Sequence, residues 1–409
     1  MWMTLSSLVS LLAFVDLGIG NGLVNAVATC YGKENWVEMR RLISSAFFLL
    51  VGIGVLLISV FAAVYYDISW PTVFGVTSPA ARGELGSALI ILICCLALNL
   101  PLGVVQRVQM GLQELWVFGL WQCGGYAISL CCVLLAARMH EGVPWLMLAM
   151  MGPPIVAQSL NGLAEFLIRR PDLRPSAQAF RWGSVRYMIS VGIMFFALQI
   201  LTVISTSSDS IIIAQVKGAA AVAPYGVMTR LFQVTMVISL FVQPLWPAFG
   251  EALARNDYEW ASRAMKRALY ASLVPGLVIA LVLVLLGHRI VELWIGARLP
   301  LHNGLPTQGL IDAFAAWIVL GSYGGPITTL LNNGDLLRKQ LVFYAVSSLV
   351  ALALKIPLIY LLGVPGAVWA TVFAYVIFYC IPAGALAYRT LEQGRRSNVP
   401  AVTSIGPAS

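Results

Sequence analysis

Long apolar stretches alternate with short polar ones along nearly the whole chain. After an opening stretch over residues 1–30, apolar runs fall near 42–66, 85–112, 115–137, 144–168, 188–216, 223–249, 268–287, 309–333, 340–361 and 364–388. A helix needs about 20 mostly apolar residues to cross a hydrocarbon core of about 30 Å. The pattern predicts an all-α polytopic membrane protein with about eleven transmembrane helices.

Polar residues inside these runs carry more information than the runs themselves. The stretch TVISTSSDSIIIAQVKGAAAVAPYGVMTRL, Thr202 to Leu231, is two apolar arms joined by a Gly/Ala turn at Gly218 to Ala221. Asp209 and Arg230 each lie roughly ten residues from that turn, about 15 Å at the helical rise. That depth is the middle of the bilayer, where a charge costs about 2.5–3.5 kcal/mol and is retained for a partner or a watery cavity. Opposite signs at equal depth allow two readings, a structural pair or a functional pair lining a cavity. Asp16 poses the same question in the first run, where Gly18, Gly20 and Gly22 follow it. Such a break either lines a cavity or lets helices approach through small residues.

The run 85–112 contains Pro101, expected to kink it, and a polar stripe of Asn99, Gln106 and Gln109 suited to bonding neighbouring helices. Glu165, Arg169 and Arg170 close the fifth run and are expected to snorkel to the interface. The longest polar connection, residues 169–187, separates an N-terminal lobe, 1–168, from a C-terminal lobe, 188–409. Pro244 and Pro247 are expected to break the helix they end.

Composition agrees. The chain has 409 residues, 60% hydrophobic and 10% charged, with a mean hydropathy of +0.87, whereas soluble domains carry about 25% charged residues. The net charge of +8 does not indicate nucleic acid, because the basic residues sit in short loops. Seventeen lysines and arginines lie on one side of the eleven spans and five on the other; Arg107, Arg230 and Lys355 lie within spans. This bias puts the richer side, with the C-terminus, in the cytoplasm. The seven cysteines lie in or beside apolar runs, and the three histidines near run ends. No phosphate loop, zinc-spaced cluster or nucleophile elbow calls for a cofactor.

The loop ENWVEMRR, after the broken first helix, has a counterpart in NDYEWASRAMKR after Pro247. Each has an acidic and aromatic lead, then basic residues, then a long apolar run, which fits either the parallel repeats of many transporters or the basic character of cytoplasmic loops in general.

Four stretches carry a family resemblance: FVDLGIGNGLVNAVA, SDSIIIAQVKGAAAVAPYGVMTRL, QPLWPAFGEALARND and LKIPLIYLLGVPGAVWATVFAYV. They resemble the polysaccharide biosynthesis, O-antigen flippase-like family of the multidrug/oligosaccharidyl-lipid/polysaccharide exporter superfamily. The resemblance implies two six-helix lobes around a central cavity that opens alternately to the two sides. It implies translocation of an undecaprenyl-diphosphate-linked oligosaccharide to the outer leaflet of a bacterial inner membrane, beside polysaccharide polymerase machinery. Carried over residue by residue, Arg230 matches the basic position of the eighth family helix, Asp209 the acidic position of the seventh and Asp16 that of the second. A diphosphate head needs a positively lined cavity, for which Arg230 with Lys355 would supply the charge, while Asp209 and Asp16 would hold the arginine between cycles or bind a coupling proton or cation. Lys355 falls where the family often has a neutral polar residue, and its other reading is a purely structural one, facing the carbonyls of a neighbouring helix.

Two other functions compete. A multidrug-type exporter would use the same lobes with a smaller cavity. A membrane glycosyltransferase or polymerase would need paired carboxylates in a large outer loop, and the short loops 67–84 and 288–308, with Asp67 and Glu84, do not offer them. The family also has one more helix at the front. With eleven spans Met1 would lie outside the cell with nothing to carry it there, so an upstream start or a truncated copy is expected.

Overall fold

Side-chain caps at Asn35 and Asp257 start two helices well before the edges of their apolar runs. The structure, a computed structural model, describes residues 16–75, 78–139, 142–295 and 305–398. Among these residues there is no strand, and ten helices are long and apolar enough to cross a membrane. Residues 1–15, with the start of the first apolar run, lie outside the described residues.

Apart from a single turn at Trp70–Val73, the first six α-helices among the described residues are α1 (Ile19–Gly32), α2 (Trp36–Val64), α3 (Pro79–Gly111), α4 (Leu115–Arg138), α5 (Val143–Leu163) and α6 (Trp182–Lys217). One span is segmented into α7 (Val222–Phe232), α8 (Met236–Val242) and α9 (Leu245–Ala254), the last break lying at Gln243–Pro244 as the prolines predict. Then follow α10 (Tyr258–Ile295), α11 (Gln308–Leu331), α12 (Leu336–Leu362), α13 (Pro365–Tyr375) and α14 (Ile381–Asn398). Helix α10 begins about ten residues before its apolar run because Glu, Arg, Lys and Ala extend a helix into water at little cost. The chain divides into two compact units, 1–196 and 197–409, with the boundary inside α6.

In the first unit, Leu23, Val27, Met39, Ile43, Val104, Val108 and Met188 form the core. Around it, α4 buries Val117, Gly125 and Ser129 and leaves Leu120, Ile128, Leu130, Leu134 and Leu135 exposed. An apolar face of this kind is at home in lipid. Lipid gives no hydrophobic push between helices, so close approach relies on small residues. A Cβ on Gly54 of α2 would stand 2.8 Å from the Ala97 carbonyl of α3. Glu84, on α3, accepts a bond from Val143 N at 2.8 Å and so caps α5.

Residues 169–187, predicted to be a linker, fold onto α2. Arg181 N donates to Ser45 Oγ (3.0 Å), Ser176 N to Ser44 Oγ (3.1 Å) and Arg40 Nε to the Arg174 carbonyl (3.3 Å). Nor does Glu165 snorkel: its side chain is fully buried. Arg169 Nη1 donates to it at 2.8 Å, and both Arg169 and Arg170 reach Glu114. Gln109 of α3 bonds Glu165 (3.0 Å) and exchanges two bonds with Asn161 (2.9 and 3.0 Å). Gln109→Leu leaves both partners short of a bond and should cost about 1–3 kcal/mol, measured as a lower unfolding temperature in detergent.

The two similar loops noted in the sequence share a backbone. At Glu34 and Asn256 φ is 55° and 60°. Asn35 N donates to the Cys30 carbonyl (2.9 Å) and Asp257 N to that of Ala252 (2.8 Å). These bonds close the ends of α1 and α9 as Schellman turns do. The next residue then caps the following helix: Asn35 Oδ1 accepts from Glu38 N (3.1 Å) and Asp257 Oδ1 from Trp260 N (3.0 Å). An asparagine or aspartate is favoured at such a position because its side chain satisfies a free helical amide.

Candidate functional site

Each unit contains a polar cavity bordered by in-span charges. In the first unit the cavity is about 200 Å³ and is lined by Asp16, Gly20, Asn99, Gln106, Arg107 and Gln158 among leucines. Asp16 stands just before α1, where its Oδ1 accepts from Gly18 N at 3.0 Å. Its other oxygen lies 3.8 Å from Arg107 Nη2, and Arg107 Nη1 donates to Asn21 Oδ1 at 2.8 Å. The two readings of the glycine run divide between its members. Gly20 faces Arg107 and Asp16, whereas Gly18 and Gly22 lie against the backbone of α6 at Gly192 and Met188. The polar stripe on α3 divides too: Asn99 and Gln106 line the cavity, and Gln109 bonds its neighbours.

In the second unit the cavity is about 290 Å³. Asp209, Ser205 and Thr206 of α6, Tyr225 and Arg230 of α7, Trp317 of α11, Tyr344 and Ser347 of α12 and Tyr375 of α13 line it. Asp209 does not pair with Arg230. Its Oδ1 is 2.5 Å from Lys355 Nζ, and its Oδ2 accepts the Tyr225 hydroxyl at 2.7 Å. Helical phase explains this. Tyr225 and Arg230 are five residues apart, about 140° around the helix at 3.6 residues per turn. With Tyr225 turned onto Asp209, Arg230 is carried off that face. Arg230 is exposed, and among the described residues its guanidinium has no ion-pair partner.

Lys355 is fully buried, and its ammonium also bonds the Ser205 carbonyl and Ser208 Oγ. The structure thus joins Asp209 to Lys355 directly and sets Arg230 on the same cavity, while Asp16 belongs to the cavity of the other unit. The sequence reading gave no site role to the partners of the two aspartates, Arg107 and Tyr225, nor to the aromatic lining of the second cavity. Arg107 carried a usable signal, since an arginine inside a span needs a partner. Tyr225 carried none, being one tyrosine among fourteen.

The model of the family described as polysaccharide biosynthesis protein matches residues 1–252. No curated protein matches the chain in sequence. Solved structures do match in fold, each covered over 86% of its length by 94% of this chain. One is an outward-facing conformation of a multidrug resistance MATE family transporter of the MOP superfamily (13% identity, TM-score 0.77). Another is a MATE in the bent conformation (14%, 0.79). A third is a MOP superfamily transporter from Pyrococcus furiosus Vc1, described as having a binding pocket of reverse polarity (14%, 0.73). Family and fold together support a membrane transporter. The chain belongs to the polysaccharide biosynthesis protein family, and it has the fold of the MATE transporters of the MOP superfamily.

Proposed function

We propose that the protein flips a lipid-linked oligosaccharide, an undecaprenyl diphosphate carrying a sugar unit, from the cytoplasmic to the outer leaflet of a bacterial inner membrane. The C-terminus and the arginine-rich loops lie in the cytoplasm, and the protein offers access to the two sides in turn. One observation carries this reading: the second unit's cavity has a surplus positive charge. Lys355 neutralises Asp209, and Arg230 remains without an acidic partner among the described residues. A diphosphate head suits such a site, because arginine grips phosphate oxygens through two parallel bonds. Tyrosine, tryptophan and hydroxyl side chains around it supply flat faces and hydrogen bonds for sugar. Asp16 and Arg107 cancel each other in the first unit, where amides line a second polar surface.

The fold also favours a second reading, export of small molecules, since the matching structures include a multidrug resistance transporter. A cationic drug, however, would meet Arg230 rather than a free carboxylate. Deleting the gene and extracting lipid-linked intermediates separates the two. Intermediates held in the inner leaflet are expected; unchanged lipids with altered drug tolerance would favour export.

Within this reading, Arg230→Ala should reduce flipping about ten- to a hundredfold, the loss of a charged hydrogen bond worth about 1.5–3 kcal/mol. Arg230→Lys should fall between, keeping the charge and losing the fork. Full activity in reconstituted Arg230→Ala would remove the arginine from the substrate path.

Cysteine accessibility gives a further check. In a cysteine-free background, Thr206→Cys, at the exposed wall of the cavity, should react quickly with a charged thiol reagent. Ile359→Cys, one turn from Lys355 and fully buried, should react at least tenfold more slowly. Equal rates would mean that the cavity is closed to water.

A further inference from the structure

The Lys355 ammonium lies among three oxygen atoms of different kinds. Asp209 Oδ1 and the Ser205 carbonyl each stand at 2.5 Å from Nζ, and Ser208 Oγ at 3.1 Å. All three donors belong to α6, at positions i, i+3 and i+4, and therefore share one face of that helix. Only the charge comes from elsewhere, on a side chain reaching across from α12. The nest is shaped independently of the lysine. Tyr225 fixes the second Asp209 oxygen at 2.7 Å, and Ser208 Oγ donates to the Ser205 carbonyl at 3.1 Å. Carboxylate, carbonyl and hydroxyl oxygens are the ligands chosen by hard cations. With one carboxylate the site balances a single positive charge, so a divalent ion would leave an excess buried in the span.

We propose that Ser205, Ser208 and Asp209 form a monovalent-cation site whose cation is supplied covalently by Lys355. Cutting the lysine back to alanine opens the site to ammonium, potassium or sodium. In the intact protein the position is always filled, so no free cation cycles through Asp209, and any coupling ion binds at another group. This goes beyond the proposed function and does not depend on which substrate is carried.

The test uses the purified full-length protein in detergent, melted in ammonium, potassium, sodium or choline chloride at one ionic strength. Choline is too large to enter. The wild type should unfold at the same temperature in all four salts. Lys355→Ala should melt lower in choline and regain stability, saturably, with at least one of the small cations. Lys355→Met should stay low in every salt, because the methionine fills the space without the charge. Lys355→Ala combined with Asp209→Asn should lose the dependence. A Lys355→Ala protein melting identically in all four salts overturns the proposal. If that variant yields no folded protein, the wild type decides. A wild-type melting temperature that rises saturably with a small cation, and no longer does so in Asp209→Asn, overturns it; an unchanged wild type, with Asp209→Asn restoring folding to Lys355→Ala, upholds it.

Discussion

Lys355→Met alone should destabilise the protein by about 3–5 kcal/mol, the usual cost of leaving one member of a buried ion pair behind. Lys355→Met joined to Asp209→Asn should recover most of that loss. Methionine matches the lysine stem closely in length, so the single variant removes charge and little packing. Asp209 is 9% exposed at its side chain and would keep only the Tyr225 bond. An asparagine there still accepts from Tyr225 and carries no charge to compensate. Thermal or denaturant unfolding of the wild type, both single variants and the double variant in detergent gives the coupling between the two positions. Additive losses would show that the pair contributes nothing as a pair, and the geometry around Nζ would lose its energetic meaning.

The second large effect belongs to Gly18. Its backbone is left-handed, with φ at 72°, and a Cβ there would run into the Gly192 carbonyl oxygen and stand 3.0 Å from Phe196 N. The reverse contact is as close, since a Cβ on Gly192 would lie 3.0 Å from Ile19 N. Helices α1 and α6 meet here backbone against backbone, with no side chain available to move aside. The left-handed conformation alone costs a substituted residue about 1–2 kcal/mol, and Gly18→Val adds a collision that only parting the helices relieves. The yield of monodisperse protein after extraction should fall severely. Gly52→Val is the matched control, because nothing lies within 4 Å of the Cβ it would add. Equal yields would mean that α1 and α6 do not hold this crossing.

The spans were legible in the sequence because their signal is local. A run such as SSAFFLLVGIGVLLISVFAAV within α2 states its own length and its need for lipid. The proline break near Gln243 was legible for the same reason, since proline acts on its own turn. Partners were not. Asp209 and Arg230 were the nearest opposite charges across a turn, and depth alone matched them. What assigns Asp209 to Lys355 is the rotation of α7 and the register of α12, which a count of residues from a turn does not give. Glu165 misled in a related way. At a span end with two arginines it has the pattern of an interfacial cluster, and only the fold shows that Gln109 and Asn161 draw it inside. The glycines after Asp16 offered two roles as a group, and the structure distributes them singly.

The paired corners at Glu34 and Asn256 have a consequence for which residues these loops accept. The same offset separates Cys30 from Ala252, Glu34 from Asn256 and Asn35 from Asp257, and the closing bonds repeat one for one. A corner closed by main-chain atoms constrains letters weakly: glutamate stands in one corner where asparagine stands in the other, and tryptophan where the other has tyrosine. The same closure ends α3, where Glu114 N donates to the Gln109 carbonyl (2.7 Å) and φ at Gln113 is 62°. Closure by main-chain atoms asks of the residue at the bend only that it hold a positive φ, and three different side chains, glutamate, glutamine and asparagine, meet that demand here.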